Sequence, residues 1–358
     1  MSKARTALLV VATVIGLGAA TLAFSEAARA AAAPAVSPHA EQARKEGKVV
    51  LYFTSPTAEG VGLLNAFRKK YPFIEVDHYR AAAAQMLERF QAEHGANLHV
   101  ADVFYFARAL VPVFREKGFV AQYKSPSAAG LDADPNGYWT AARYYGLLPM
   151  VNPKLVPRQS WPQDWSDFAN PRQEWIGKVA IVDPYGTTSG HQTQFALYTL
   201  LGEQNYRNLL KGIASTKPAV YRTNTPAAEA LIAGEYPVLF NNLYDRYVSL
   251  GVRKGAPIEM VYAKSGMIVY TTVVSLNAKA PHPAAARLLY DFVLSDEAQQ
   301  MIADAGNYPA RTSITPKNLK PLNQVQRVKF DEENAESLEN KRLISRIWDE
   351  IIGKKGAK

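Results

Sequence analysis

KVVLYFTS, residues Lys48–Ser55, is an apolar run rich in β-branched and aromatic residues that stops abruptly at two hydroxyl side chains. Its composition predicts a strand, and the period then changes: Val61, Leu64 and Phe67 recur at helical spacing between Ala58 and Lys70. IEVDHY (Ile74–Tyr79) alternates as a strand, AAAAQMLERFQAEH (Ala81–His94) reads as a helix, and ADVFYF (Ala101–Phe106) is a strand again. Strand, helix, strand, helix, strand in that order predicts parallel pairing with crossover helices.

A second series follows a segment rich in Pro and Trp, Asn152–Trp175, which reads as loop and short helix. GKVAIVDP (Gly177–Pro184), PAVYR (Pro218–Arg222) and YPVLFNN (Tyr236–Asn242) are strands, with helices over His191–Lys211 and Thr225–Gly234 between them. PIEMVYA (Pro257–Ala263) and GMIVYTTVVSLNA (Gly266–Ala278) follow as two closely spaced strands, the second long enough to cross between domains. Helices over Pro281–Ser295 and Ser295–Gly306 come next, with Ser295 placed to cap the second. A chain of 358 residues exceeds one core of the usual size, so two domains are expected. Ligands of such sheets bind in the crevice beyond the carboxyl ends of the strands.

The chain upstream belongs to another class. Lys3 and Arg5 precede an uncharged run from Leu8 to Phe24, and the small residues around Ala28–Ala30 suit a signal peptidase. A retained anchor competes, because the apolar run borders on spanning length, but its Ala, Gly and Thr content favours removal. Cleavage before Ala31 removes three cations and one anion and lowers the formal charge from +9 to +7. No cysteine is present, which excludes disulfides and lipid attachment through a thiol. The Lys and Arg residues are dispersed without interleaved aromatics, so nucleic acid is not an expected partner.

Three strand ends are polar. In DPYGTTSGHQTQF (Asp183–Phe195) the hydroxyls of Thr187, Thr188 and Ser189 and the first helical N–H groups, through Gly190 and His191, could cradle an anion; plain helix capping accounts for the same residues. YRTNTPAAEAL repeats the arrangement, leaving the Asn224 amide usable. VLFNNLYDRY (Val238–Tyr247) sets Asn241 and Asn242 before Tyr244, with Asp245 and Arg246 reading as a solvated pair. For catalysis the sequence offers no G-x-S-x-G elbow and no H-E-x-x-H, and its six histidines are scattered. No enzyme activity and no cofactor are expected.

Together the motifs resemble periplasmic solute-binding proteins of ABC importers, in the family that contains the ferric-ion-binding proteins. The resemblance spans Lys48–Ser313 and rests on KVVLYFTS, ADVFYFA, VNPKLVP, WIGKVAIVDPYGTTSG, GEYPVLFNNLY, and above all APHPAAARLLYDFVLSDEAQQMI with YPAR. It implies an α/β, two-lobed type II binding fold with a cleft between domains joined by crossing strands. The family's iron ligands fall on Pro56, Ala107, Leu243 and Tyr244, so one of four is kept; a hard trivalent cation wants more oxygen donors than that. Its anion-binding positions fall on Ser189, Gly190, His191, Asn224 and Asn241, all able to donate hydrogen bonds.

The resulting expectations are a signal peptide over 1–30, a linker over 31–46, one lobe from 47–145 plus 266–320 and a second from 146–265 plus 321–358. The leading function is a monomeric periplasmic protein that delivers a small anion, a carboxylate, phosphate ester or phosphonate, to an ABC permease. Ser55 and Thr57 would face Thr187 to His191, Asn224, Asn241 and Tyr244, with Arg80 as the one full positive charge. Ferric iron on Tyr244 with an anion or chelator ranks second. A polyamine held by Asp102, Asp183 and Asp245 ranks third.

Overall fold

Both sides of Lys48–Phe53 (β1) are paired, which explains why its sequence is apolar throughout rather than alternating. The computed structural model describes residues 38–55 and 57–353; the readings made for residues 1–37 and for Pro56 lie outside these. Ala40–Glu46, within the expected linker, is helix α1; the Glu46 carboxylate accepts from the N–H groups of Ala284 and Ala285 and so caps a later helix.

From β1 the chain runs through α2 (Thr57–Lys70), β2 (Glu75–Arg80), α3 (Ala83–Gly95) and β3 (Val103–Ala107), and β2 and β3 flank β1 in parallel. After α4 (Val111–Glu116) and the short β4 (Val120–Ala121) comes β5 (Thr140–Val151), which is buried at all twelve positions. No period-2 signal marks this strand, because both of its faces are covered. β6 (Val179–Val182), α5 (Thr188–Ser215), β7 (Ala219–Tyr221), α6 (Asn224–Ala233) and β8 (Val238–Leu243) follow. Gly202, at φ 73°, breaks α5 into two helical segments. A three-residue helical turn, α7 (Tyr244–Arg246), leads to the short β9 (Glu259–Met260), all that forms of the strand expected over Pro257–Ala263. Then come β10 (Met267–Asn277), α8 (Pro283–Leu294), α9 (Asp296–Asp304), β11 (Tyr308–Pro309), β12 (Arg327–Val328), α10 (Glu332–Ala335) and α11 (Leu338–Ile351).

One curled sheet carries all twelve strands, in the order β2-β1-β3-β10-β5-β8-β6-β7 with β4, β9, β11 and β12 paired at the sides. β10 and β5 are its middle, antiparallel from Ile268 opposite Leu147 to Val274 opposite Thr140. β10 continues into β3 on one side and β5 into β8 on the other, so these two strands join the halves.

Side-chain alternation then sorts each half into two layers. Val49, Leu51 and Phe53 pack with Leu289 and Phe292 of α8, while Val50 and Tyr52 pack with Met86 and Phe90 of α3. Val179 and Ile181 meet Leu209 and Ile213 of α5 and Trp348 of α11; Ala180 and Val182 meet Ala227 and Leu231 of α6. Helices α2, α5 and α6 therefore all start where strands end, around one cleft. Among the described residues no helix is long and apolar enough to cross a membrane.

The returning chain is fastened to the middle of the sheet. Glu332 accepts from the N–H (2.6 Å) and hydroxyl (2.8 Å) of Thr271 on β10, and burial pushes its carboxyl up to about 7. A folded-state value above the unfolded one means that this group favours folding fully below pH 4.5 and that the contribution is lost as pH rises through 7. Urea titrations across that window should show wild type losing up to about 3 kcal/mol relative to Glu332→Gln, the equivalent of the shift; parallel profiles would show that Glu332 does not titrate there.

Candidate functional site

Asp183 closes the end of β6 by accepting from the N–H groups of Tyr185 and Gly186, each at 2.9 Å. The turn delivers Thr187 to the N-cap of α5, where its Oγ1 accepts from Gly190 N at 3.0 Å. No larger residue than glycine fits at 190, since a Cβ there would sit 2.0 Å from the Asp183 carbonyl oxygen. The N–H groups of Thr188 and Ser189, in the same first turn, have no intrahelical acceptor.

A second helix start lies beside the first. α6 begins at Asn224 after Thr223, whose hydroxyl makes no capping bond. Asn224 Nδ2 donates to Ser189 Oγ at 2.8 Å, and that oxygen is 3.0 Å from Thr187 Oγ1. Asn242 ties β8 to the pair, donating through Nδ2 to the Asn224 carbonyl at 2.9 Å while its Oδ1 accepts from Leu243 N. Asn224 Oδ1 is buried and accepts from no described residue. Turning this amide over would let Ser189 donate to Oδ1 and leave an NH₂ free instead. Either way one amide atom of Asn224 waits for a partner between two helix N-termini.

Two residues beyond Asn242, Tyr244 enters a second polar cluster built on β5. Arg143 is 1% exposed and forms an ion pair with Glu59 of α2. Its Nη2 reaches Tyr244 Oη (3.4 Å) and Asn307 Oδ1 (3.2 Å), its Cζ lies 3.7 Å from the Tyr145 ring centroid, and its Nε has no partner. Tyr105 of β3 donates to Glu59 at 2.8 Å, and Ser55 lies against the hydroxyls of Tyr105 and Tyr145. Tyr145 stacks on Tyr270 of β10 with centroids 4.9 Å apart. Asp245 is half-buried near Arg143 with its Oδ1 covered, and desolvation raises its carboxyl above the ordinary range although Arg246 and Arg143 oppose the shift.

Of the residues singled out from sequence, Thr187, Ser189 and Asn224 thus come together, and Ser55 and Tyr244 share the Arg143 cluster. Four need correction. Asn241 spends its amide on Val182, accepting from its N–H at 2.9 Å and donating to its carbonyl at 3.3 Å, and extends the β8–β6 pairing. His191 Nε2 lies 2.7 Å from the Ala335 carbonyl, and burial lowers its pKa, so a neutral ring docks the C-terminal segment. The N–H of Gly190 is already taken. Arg80, exposed, donates to the Ser55 carbonyl at 3.3 Å, and the buried positive charge of the cleft is Arg143 instead. Thr57 is exposed at the start of α2 and Thr188 half-buried at the start of α5.

The acids proposed for a polyamine do not converge. Asp102 holds Val50 and His282 before β3, Asp183 serves its turn and Arg222, and Asp245 alone reaches the cluster, half-buried rather than solvated. For iron, Ala107 and Leu243 bring no donor, and no group of three or more His, Asp or Glu able to hold a metal occurs among the described residues. Tyr244 donates to the Tyr144 carbonyl at 3.1 Å and accepts from Tyr308 N at 2.9 Å, while burial raises its pKa, which opposes a tyrosinate. Sequence reading missed Arg143, Glu59, Tyr105, Tyr145 and Tyr270.

Residues 99–335 match the family model described as bacterial extracellular solute-binding protein. The chain belongs to that family. Among solved structures it is similar to iron-bound HitA from Pseudomonas aeruginosa, at 21% identity and TM-score 0.73 over 85% of this chain and 99% of that one. The apo ferric ion-binding protein A of Pasteurella haemolytica gives 16% and 0.73 over 87% and 100%. AfuA of Actinobacillus pleuropneumoniae, with exogenous fructose-6-phosphate bound, gives 22% and 0.69 over 86% and 99%. The fold of this solute-binding protein is thus the two-lobed type II binding fold, with β5 and β10 as its crossing strands.

Because a Cβ at 190 meets backbone rather than a movable side chain, Gly190→Ala should lower stability by about 1–3 kcal/mol. Thermal unfolding measures it, and an unchanged transition would mean that the start of α5 is not pressed on the end of β6.

Proposed function

We propose that this protein is the periplasmic solute-binding component of an ABC importer and that it captures a small anion, a carboxylate, phosphate ester or phosphonate. The observation that carries this reading is the pair of helix N-termini joined by the Asn224–Ser189 bond, with one buried amide atom of Asn224 unpartnered. Uncapped N–H groups and the aligned peptide dipoles behind them attract negative charge. A phosphate ester bound to AfuA is in keeping with it. Iron, bound to HitA, would here need donors that positions 107 and 243 do not bring.

In this reading residues 47–145 and 266–320 form one lobe, 146–265 and 321–358 the other, and the monomer closes over its ligand by bending β5 and β10. The N-terminal segment serves for export, and the closed form docks on the permease.

Titration calorimetry with inorganic phosphate tests the site. Ser189→Ala and Asn224→Ala should each weaken binding by about 1–3 kcal/mol, the cost of removing one partner from a charged hydrogen bond. Asn241→Ala should act on stability instead, by unpairing Val182. If the Ser189 and Asn224 variants bind like wild type, or if ferric ion and no anion binds, the reading is wrong.

A further inference from the structure

The anion accounts for the Ser189–Asn224 end of the cleft and leaves the Arg143 cluster without a task. We propose that the solute carries a neutral, hydroxylated body beside its anionic head, and that Arg143, Glu59 and Asp245 select that body. The proposal rests on the anion reading and extends it.

The two ends are linked through the end of β8 and the turn that follows it. Asn242 holds Asn224, and Tyr244, bonded to Arg143, stands two residues further on, so the backbone positions are roughly 7 Å apart at strand rise. A solute that meets both ends needs a body besides its anionic head.

Polarity at the second end is mixed. Arg143 offers a buried N–H at Nε with no acceptor, and Asp245 offers a buried Oδ1 with no hydrogen-bond donor, its neighbour Arg246 Nε being 3.9 Å away. Glu59 compensates the charge of Arg143 directly. A second carboxylate on the solute would bring acceptors only and face Glu59 and Asp245. An amine would bring donors only and face Arg143. A hydroxyl both donates and accepts, so adjacent hydroxyls can serve Nε and Oδ1 together without adding charge to a buried site. The guanidinium is kept in place for this by Tyr145 beneath it and by Asn307 and Tyr244 at Nη2.

Calorimetry on the mature chain with four probes decides it: inorganic phosphate, glycerol 3-phosphate, 2-phosphoglycolate and phosphoethanolamine. Glycerol 3-phosphate should bind at least about tenfold more tightly than inorganic phosphate, the gain of one well-made polar contact, and the charged-tail esters should show no such gain. Arg143→Met should abolish the gain of glycerol 3-phosphate over inorganic phosphate, whereas Ser189→Ala should weaken all four probes alike and keep their ratios. Thermal unfolding screens each variant; if Arg143→Met does not fold, Arg143→Lys, which keeps the charge and loses the Nε position, should show the same selective loss. Phosphate binding with no gain for glycerol 3-phosphate, or a larger gain for a charged tail, overturns the hydroxylated body and leaves the anion site standing. No binding of any probe overturns both.

Discussion

The antiparallel pairing of β5 with β10 is the constraint on which the rest depends. Each strand is buried along its whole length, so its backbone polar groups need partners within the protein, which the neighbouring strands supply together with side chains such as Glu332 on Thr271 N and Tyr244 on the Tyr144 carbonyl. Each also pairs outward into a different half, β10 to β3 and β5 to β8. Any relative motion of the lobes must bend this ribbon without breaking it. A cluster set on the ribbon, as Arg143, Tyr145 and Tyr270 are, feels that bending directly.

The helix starts depend on the ribbon less directly. β6 and β7 are parallel neighbours, and α5 and α6, which follow them in the chain, start from the same carboxyl edge. Two N-termini then lie side by side, and the sequence keeps them close: Gly190 lets α5 press on the Asp183 carbonyl, and Asn242 reaches across to the first residue of α6. Thr187 spends its oxygen on a single N–H, so capping satisfies only part of the first turn.

Much of this was legible in the residues. Helix and strand periods located the βα units, because each has one face on a core and the other toward water or a helix. Hydroxyls and amides at strand ends marked Thr187, Ser189 and Asn224 correctly as neighbours. β5 was not legible, since Arg143, Gly146 and Pro149 interrupt its run where β10 carries no charge, glycine or proline, and with it went Arg143. Asn241 misled for another reason. Two adjacent asparagines at a strand end look alike in sequence, yet in an extended chain they point to opposite faces, so Asn241 serves Val182 while Asn242 reaches Asn224. The pairing of Glu59 with Arg143 joins residues 84 positions apart, and no local pattern encodes it.

A buried ion pair gives little net stability, because desolvation offsets most of its attraction. An unpaired buried donor or acceptor costs about 1–3 kcal/mol, and Arg143 Nε, Asn224 Oδ1 and Asp245 Oδ1 are three such atoms. That cost is relieved wherever water or a polar group reaches these atoms. The polar atoms that the fold leaves unpaired therefore set a stability cost and, by the same free-energy term, a place for a polar partner.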